Sequence, residues 1–448
     1  SRVLPGFLPD SKLRMLDNIK DHTEIIITIN ANDIESNKIR GDNEISYDTE
    51  TIRLKQAFEQ KGFLVNSIVI TQFNNGDKVL RFEKYLDNLS ITHHRSYDIK
   101  GYPNDIDHIL SKDGFGKNDY VETNRPLVVI TGPGPGSGKM ATALSLMYLD
   151  YERGKRSSYA KFETFPIWNL GLMHPVNIAY EAATANLNDV NMIDPYHLEA
   201  YGKLAVSYNR DVEAFPVLKR MLEKIMGQTP YKSPTDMGVN MVGFCITDNE
   251  AAIKASKDEI VRRYYNSLVD VRFAKESYSC VEKIQTLMSN LDISSEDRKV
   301  ALAAREKEEI TGKESFAIEL ADGRIMRGKK SKLFTAPAAC ILNALKKLGN
   351  LDDEILLLSP HIIEPVSKLK TNSLGETEPS LSINEMLIAL AISATTNPLT
   401  HMAMEEIKNL KSLDAHSTVI LNDSEKRMLR KLGINFTQDP VFGEDSGY

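Results

Sequence analysis

Residues 127–139, Leu-Val-Val-Ile-Thr-Gly-Pro-Gly-Pro-Gly-Ser-Gly-Lys, constrain this chain more than any other stretch: a β-branched run breaks into alternating glycines and ends on a lysine. The run reads as a strand entering a helix through a glycine-rich turn. That arrangement aims several backbone N–H groups and a positive helix terminus at one point, where an anion is stabilised. Gly134, Gly136, Ser137 and Gly138 would supply the amides and Lys139 a full charge. A turn built only for close strand–helix packing would explain the glycines and leave the charge unexplained.

Two known phosphate-binding patterns overlap this segment, and neither fits completely. The P-loop pattern G-x-x-x-x-G-K-[ST] needs glycine where Pro133 stands, and a hydroxyl for Mg²⁺ where Met140 stands; Ser137 and Thr142 are the nearest substitutes. The dinucleotide pattern G-x-G-x-x-[GA] is met by Gly136, Gly138 and Ala141, with Glu163 as the ribose-binding acid after the next strand. The lysine and two prolines inside the loop are foreign to that second pattern.

Composition narrows the class. At 448 residues the chain is too long for one core, so two or three domains are expected. A net charge of −7, with lysine and arginine scattered, disfavours nucleic acid as a partner. The three cysteines, Cys245, Cys280 and Cys340, show no CxxC spacing and argue against a disulfide framework or a structural zinc site. No apolar run is long enough to cross a membrane and no signal peptide is visible, so a cytoplasmic protein is expected. The start at Ser1, without methionine, suggests an upstream piece.

Short β-branched runs at 24–30, 63–70 and 127–131, separated by helical stretches at 49–61 and 77–89 and a further strand at 90–97, give a βαβ rhythm. The expected fold class is α/β: a Rossmann-like parallel-sheet domain over 1–248, a helical subdomain over 249–312 and a C-terminal α/β domain over 313–448. Residues 157–163 read as a further strand, 241–248 as a buried strand, 249–291 as a long helical region, and 311–331 as a linker with a hairpin.

Polar residues set in apolar context between 166 and 228 nominate a cleft: Asn177, Glu181, Asp194, His197, Asn209 and Arg210. The histidine and acid spacings match no metal pattern, and a lone histidine beside aromatics is more often a hydrogen-bonded structural residue. Asp248, closing its apolar run, resembles a Walker-B acid but fits a helix cap at least as well.

The Gly-Pro-Gly-Pro-Gly-Ser-Gly-Lys loop, with Tyr159-Ala-Lys-Phe-Glu-Thr-Phe-Pro, Asp189-Val-Asn-Met-Ile-Asp-Pro, Ser233-Pro-Thr-Asp-Met-Gly-Val-Asn-Met and Ala415-His-Ser-Thr-Val-Ile-Leu, resembles a bacterial family defined as a domain of unknown function. The resemblance spans nearly the whole chain. It implies a nucleotide-binding-like α/β part, a separate C-terminal α/β part and members that begin upstream of Ser1, and it carries no activity. The residues themselves point to an enzyme for phosphoryl transfer or ATP-dependent ligation. Its partner would be a nucleotide or small phosphorylated ligand, with ATP and Mg²⁺ as cofactors and Mg²⁺ on Thr142 or Asp248. Lys139 would be its catalytic residue, and a homo-oligomer is compatible with the sequence. The alternatives are an NAD(P)-dependent oxidoreductase and a non-catalytic ligand-binding sensor or scaffold.

Overall fold

A computed structural model of the chain describes residues 11–39, 45–163, 165–240 and 242–443. Ser1–Asp10 and Met241, both touched by the sequence reading, lie outside the described residues. The chain divides into two compact units, Ser1–Asn177 with Val190–Thr247, and Ile178–Asp189 with Asp248–Tyr448.

The first unit opens with α1 (Ser11–Leu16), β1 (Thr23–Asn30), α2 (Ala31–Glu35), α3 (Tyr47–Gln60), β2 (Leu64–Phe73), α4 (Asp77–Asn88), β3 (His93–Tyr97), α5 (Ile106–Ile109), β4 (Leu127–Thr131) and α6 (Lys139–Glu152). The four strands form one parallel sheet in the order β3-β2-β1-β4. Parallel strands covered on both faces read as unbroken apolar runs, and β1 obeys this. Ile25, Ile27 and Ile29 of β1 pack with Ile52 and Phe58 of α3 and with Val79, Phe82 and Leu86 of α4. Ile26, on the opposite face, packs with Val69 of β2 and Leu146 of α6. Each of the four isoleucines is fully buried, a contribution of about 1.5–3 kcal/mol apiece.

The direction of winding therefore reverses between β1 and β4. Helices α3 and α4 cover one face and α6 the other. In open parallel sheets such a reversal leaves a crevice outside the carboxyl ends of the two strands, the usual seat of a ligand.

The rest of this unit holds two small sheets. Strand β5 (Lys161–Phe162) pairs in parallel with β8 (Gly238–Val239), and β6 (Asn191–Ile193) pairs antiparallel with β7 (Val206–Tyr208). This unit also holds α8 (Pro195–Tyr201), α9 (Asn209–Met226), α10 (Pro234–Met237) and the start of α7 (Pro175–Ala183), which from Ile178 on is grouped with the second unit. Phe215, Leu218 and Leu222 of α9 pack with Leu144 and Met147 of α6. Two expectations are corrected here. The strand anticipated over 157–163 shrinks to two residues outside the main sheet. The described part of 241–248 holds a 3₁₀ turn, Val242–Cys245, with Phe244 exposed. Within this turn Gly243 lies so close to the Asn169 side chain that a Cβ would clash.

The second unit continues with α11 (Asn249–Arg272), α12 (Tyr278–Ser289), α13 (Lys299–Thr311), β9 (Ser315–Glu319), β10 (Ile325–Lys329), α14 (Ala336–Leu348), α15 (Pro360–Lys368), α16 (Ile383–Ala394), α17 (Pro398–Glu405), β11 (Asp414–Ser417), α18 (Asp423–Leu432) and β12 (Asn435–Gln438). Its mixed sheet has the order β10-β9-β11-β12. The helical region anticipated over 249–291 breaks after Arg272, where Ala274 takes a φ of +55° and Ser277 caps a new helix. The expected hairpin is β9–β10, but it is no linker: Phe316, Ala317 and Ile318 are fully buried at the centre of the sheet. Ile341 and Leu345 of α14 and Met386 and Leu390 of α16 complete that core.

Glu425 of α18 is buried in this unit, accepting from Thr335 Oγ1 at 2.7 Å, while among the described residues its Oε2 has no hydrogen-bond partner. Burial pushes its carboxyl up to about 7. The folded form therefore keeps a proton that the unfolded form gives up near pH 4.5, and stability falls as pH rises from there to about 7. Thermal melts at pH 5 and pH 8 should show Glu425→Gln losing less Tm than the native chain over that interval. An equal or larger loss in the variant would contradict the assignment.

Candidate functional site

The glycine loop lies at the reversal point, held by the ends of the two central strands. Ser137, fully buried, accepts the Thr71 hydroxyl of β2 on its carbonyl at 3.0 Å, and its Oγ lies 3.3 Å from the Thr28 hydroxyl of β1, which also donates to the Thr131 carbonyl at 3.0 Å. Asn30, which ends β1, donates its Nδ2 to the Gly136 carbonyl at 3.1 Å. Gly134 packs against the Tyr47 hydroxyl so closely that any side chain would collide. Gly138 takes a φ of +86° as the first cap of α6, and a Cβ there would stand 2.6 Å from Thr71 Cγ2.

This geometry leaves the amino end of a 14-residue helix without a side-chain cap. The first N–H groups of a helix have no partner within it, so the end of α6 is suited to an anion. Lys139 Nζ donates to the Gly134 carbonyl at 2.8 Å and to Ser137 Oγ at 3.1 Å, so its charge is folded onto the loop. Met140 is exposed and brings no oxygen to the P-loop hydroxyl position. Thr142 is buried and lines a small cavity with Val69, Ser96, Asn118 and Ser145 on the sheet-facing side of α6. Its hydroxyl makes no hydrogen bond among the described residues.

The cleft candidates divide into two kinds. Glu163 and Arg210 meet around Tyr208: Lys161 Nζ bonds Glu163 Oε1 at 2.7 Å and also donates to the Tyr208 hydroxyl and Asp211, and the Arg210 guanidinium lies 5.4 Å from the Tyr208 ring centre. Burial raises the Glu163 carboxyl above its ordinary range, Asp211 adding to the effect against the pull of Lys161. Burial opposes the Lys161 charge, but the carboxylates of Glu163 and Asp211 hold its ammonium above the usual value. Glu163 is thus committed to a lysine and follows a strand outside the main sheet, a different place from the ribose-binding acid of the dinucleotide pattern.

The others serve the local framework. Asn177 binds the Ile167 backbone in both directions, accepting its N–H at 2.7 Å and donating to its carbonyl at 3.1 Å. Asp194 caps α8 through the His197 N–H and accepts the Thr235 hydroxyl at 2.6 Å. His197 Nδ1 meets Ser233 Oγ at 3.0 Å, beside the rings of Trp168 and Tyr201. Asn209 Oδ1 accepts the Val190 N–H at 3.0 Å. Glu181 is buried on α7, in the segment grouped with the second unit. Asp248 caps α11, accepting the Ala251 N–H at 2.9 Å, the cap reading of that acid.

Sequence reasoning missed Lys161, Tyr208 and Asp211, and it missed the carboxamides beside the loop. The second group had a signal: the β1 run ends Thr-Ile-Asn and the β2 run holds Thr71-Gln72, a threonine followed closely by a carboxamide at each carboxyl end.

The last two glycines of the loop separate backbone strain from steric fit. Gly136 has a φ of +77° and open space around it, so Gly136→Ala should cost about 1 kcal/mol from the left-handed backbone alone. Gly138→Ala adds the collision with Thr71 and should lower Tm further in thermal denaturation. Equal losses would mean that Thr71 does not brace the loop.

Comparison with known proteins places the whole chain. The model described as "Domain of unknown function DUF1846, N-terminal" matches residues 1–292, and "Domain of unknown function DUF1846, C-terminal" matches 296–448. A UPF0371 protein of Streptococcus pneumoniae strain CGSP14 is 54% identical over 448 residues, covering 100% of this chain and 91% of that protein. A UPF0371 protein of Streptococcus uberis shows the same 54% identity over the same 100% and 91%. On both findings, and in keeping with its α/β architecture, the chain belongs to the DUF1846 family.

Proposed function

We propose that residues 132–139 form the phosphate seat of an enzyme acting on a small phosphorylated ligand, with phosphoryl transfer or ligation as the class of reaction. One observation carries the reading: an uncapped 14-residue helix begins at the reversal point of a parallel sheet, behind a glycine loop bearing Lys139. There the helix terminus and the ammonium favour the same charge.

On binding, Lys139 Nζ would exchange the Gly134 carbonyl for phosphate oxygens, a charge-assisted bond in place of a neutral acceptor. The amides of Gly134, Gly136, Ser137 and Gly138 would hold the remaining oxygens, and charge developing on a transferred phosphoryl group would fall on the same donors. A divalent ion would gain no oxygen from Met140, so the seat itself is read as independent of Mg²⁺. The oxidoreductase alternative is weakened by the engagement of Glu163 with Lys161. Among the described residues no helix is long and apolar enough to cross a membrane, and Cys245, Cys280 and Cys340 form no disulfide.

Isothermal titration with pyrophosphate and with ATP, each with and without Mg²⁺, tests this. The expected outcome is binding that persists without Mg²⁺ and weakens about 10- to 100-fold in Lys139→Ala, as expected for loss of a charge-assisted bond. Unchanged affinity in the variant would remove the proposal.

A further inference from the structure

Beside the phosphate seat runs an array of four carboxamides. Asn30 Nδ2 reaches the Gly136 carbonyl of the loop at 3.1 Å and Gln72 Oε1 at 2.8 Å. Asn32 Nδ2 donates to the same Gln72 oxygen at 3.2 Å, and Asn74 Nδ2 to Asn32 Oδ1 at 3.2 Å. The backbone N–H of Asn32 completes the tie, donating to Asn30 Oδ1 at 2.9 Å. The array follows the carboxyl ends of β1 and β2, directly outside the loop.

Gln72 is the unusual member. It is exposed, and its φ of +49° lies in the left-handed region that a residue with a side chain adopts at some cost. Two amide donors pin its oxygen, and among the described residues nothing accepts from its Nε2. A backbone held in this conformation, with the amide oxygen tied down and both N–H groups unspent, presents a fixed pair of donors next to the phosphate seat.

We infer that this array reads the hydroxyl groups of a phosphorylated sugar or polyol whose phosphate sits on residues 132–139. The inference rests on the phosphate seat proposed above and names its substrate class. Three features carry it. The array is uncharged, so the ligand portion it meets is neutral and polar. Carboxamides both donate and accept, as hydroxyl groups do. And the array starts one hydrogen bond from the loop, so it meets the carbons nearest the phosphate; a terminal nucleotide phosphate on the loop would put its base well beyond. Gln72 and Asn74 are carboxamides, where a dinucleotide site would offer an acid to the ribose.

The test is titration of the full chain with glucose 6-phosphate, ribose 5-phosphate, AMP and inorganic phosphate, repeated on Gln72→Gly. Glycine accepts the φ of +49°, so this variant removes the amide while relaxing the backbone. At least one sugar phosphate should bind ten-fold or more tighter than inorganic phosphate, and Gln72→Gly should erase most of that gain while leaving inorganic phosphate unchanged. Equal binding of all four compounds would overturn the inference and leave the phosphate seat standing. So would AMP binding ten-fold tighter than ribose 5-phosphate, since a base would then be read. Failure of every phosphate-bearing compound to bind would overturn the seat and the inference together.

Discussion

Two buried threonine hydroxyls hold the glycine loop in place, and the site depends on them. Thr28 and Thr71 belong to adjacent parallel strands and close on the two sides of Ser137, one on its hydroxyl and one on its carbonyl. Asn30, which bonds the Gly136 carbonyl, and Lys139, which bonds the Gly134 carbonyl, add to this order. The threonine contacts tie the loop to the most deeply buried part of the sheet, where β1 carries apolar contacts on both faces. The amino end of α6 is thus presented from a rigid base, and preorganised dipoles are what make an anion seat effective.

Electrostatics follow the same pattern across the first unit: ionisable groups are paired before any ligand arrives. Lys139 rests on a loop carbonyl and a serine hydroxyl. Lys161 is enclosed by Glu163, Asp211 and Tyr208. The difference lies in the partners. Lys139 bonds a loop carbonyl and a serine hydroxyl, whereas Lys161 faces two carboxylates and ties β5 to the start of α9.

Much of the first sheet was legible from the chain alone, because its strands are short β-branched runs and the connecting helices show their own apolar period. The glycine loop, its strand and its helix appear where the residues indicated. The misreadings share a cause: they depend on partners distant in sequence. Whether 157–163 becomes a full strand depends on finding a sheet edge, and only Lys161–Phe162 finds β8, more than seventy residues on. Glu163 looked like a free acid because Lys161 and Asp211 meet it through the fold. Thr142 looked like a hydroxyl near the loop because spacing along a helix does not show which side faces a sheet. Asp248 shows the converse: its local cap geometry was readable beside its more ambitious role. The carboxamides of Asn30 and Gln72 sit forty-two positions apart and become one surface only when β1 and β2 pair.

The central claim is that an anion belongs at the amino end of α6. A crystal structure of the full chain soaked with glucose 6-phosphate tests it directly. The account predicts phosphate oxygens at hydrogen-bonding distance, ~3 Å, from the loop amides, with Lys139 Nζ turned from the Gly134 carbonyl onto the phosphate. A phosphate bound elsewhere, with Lys139 still on the Gly134 carbonyl, would contradict it.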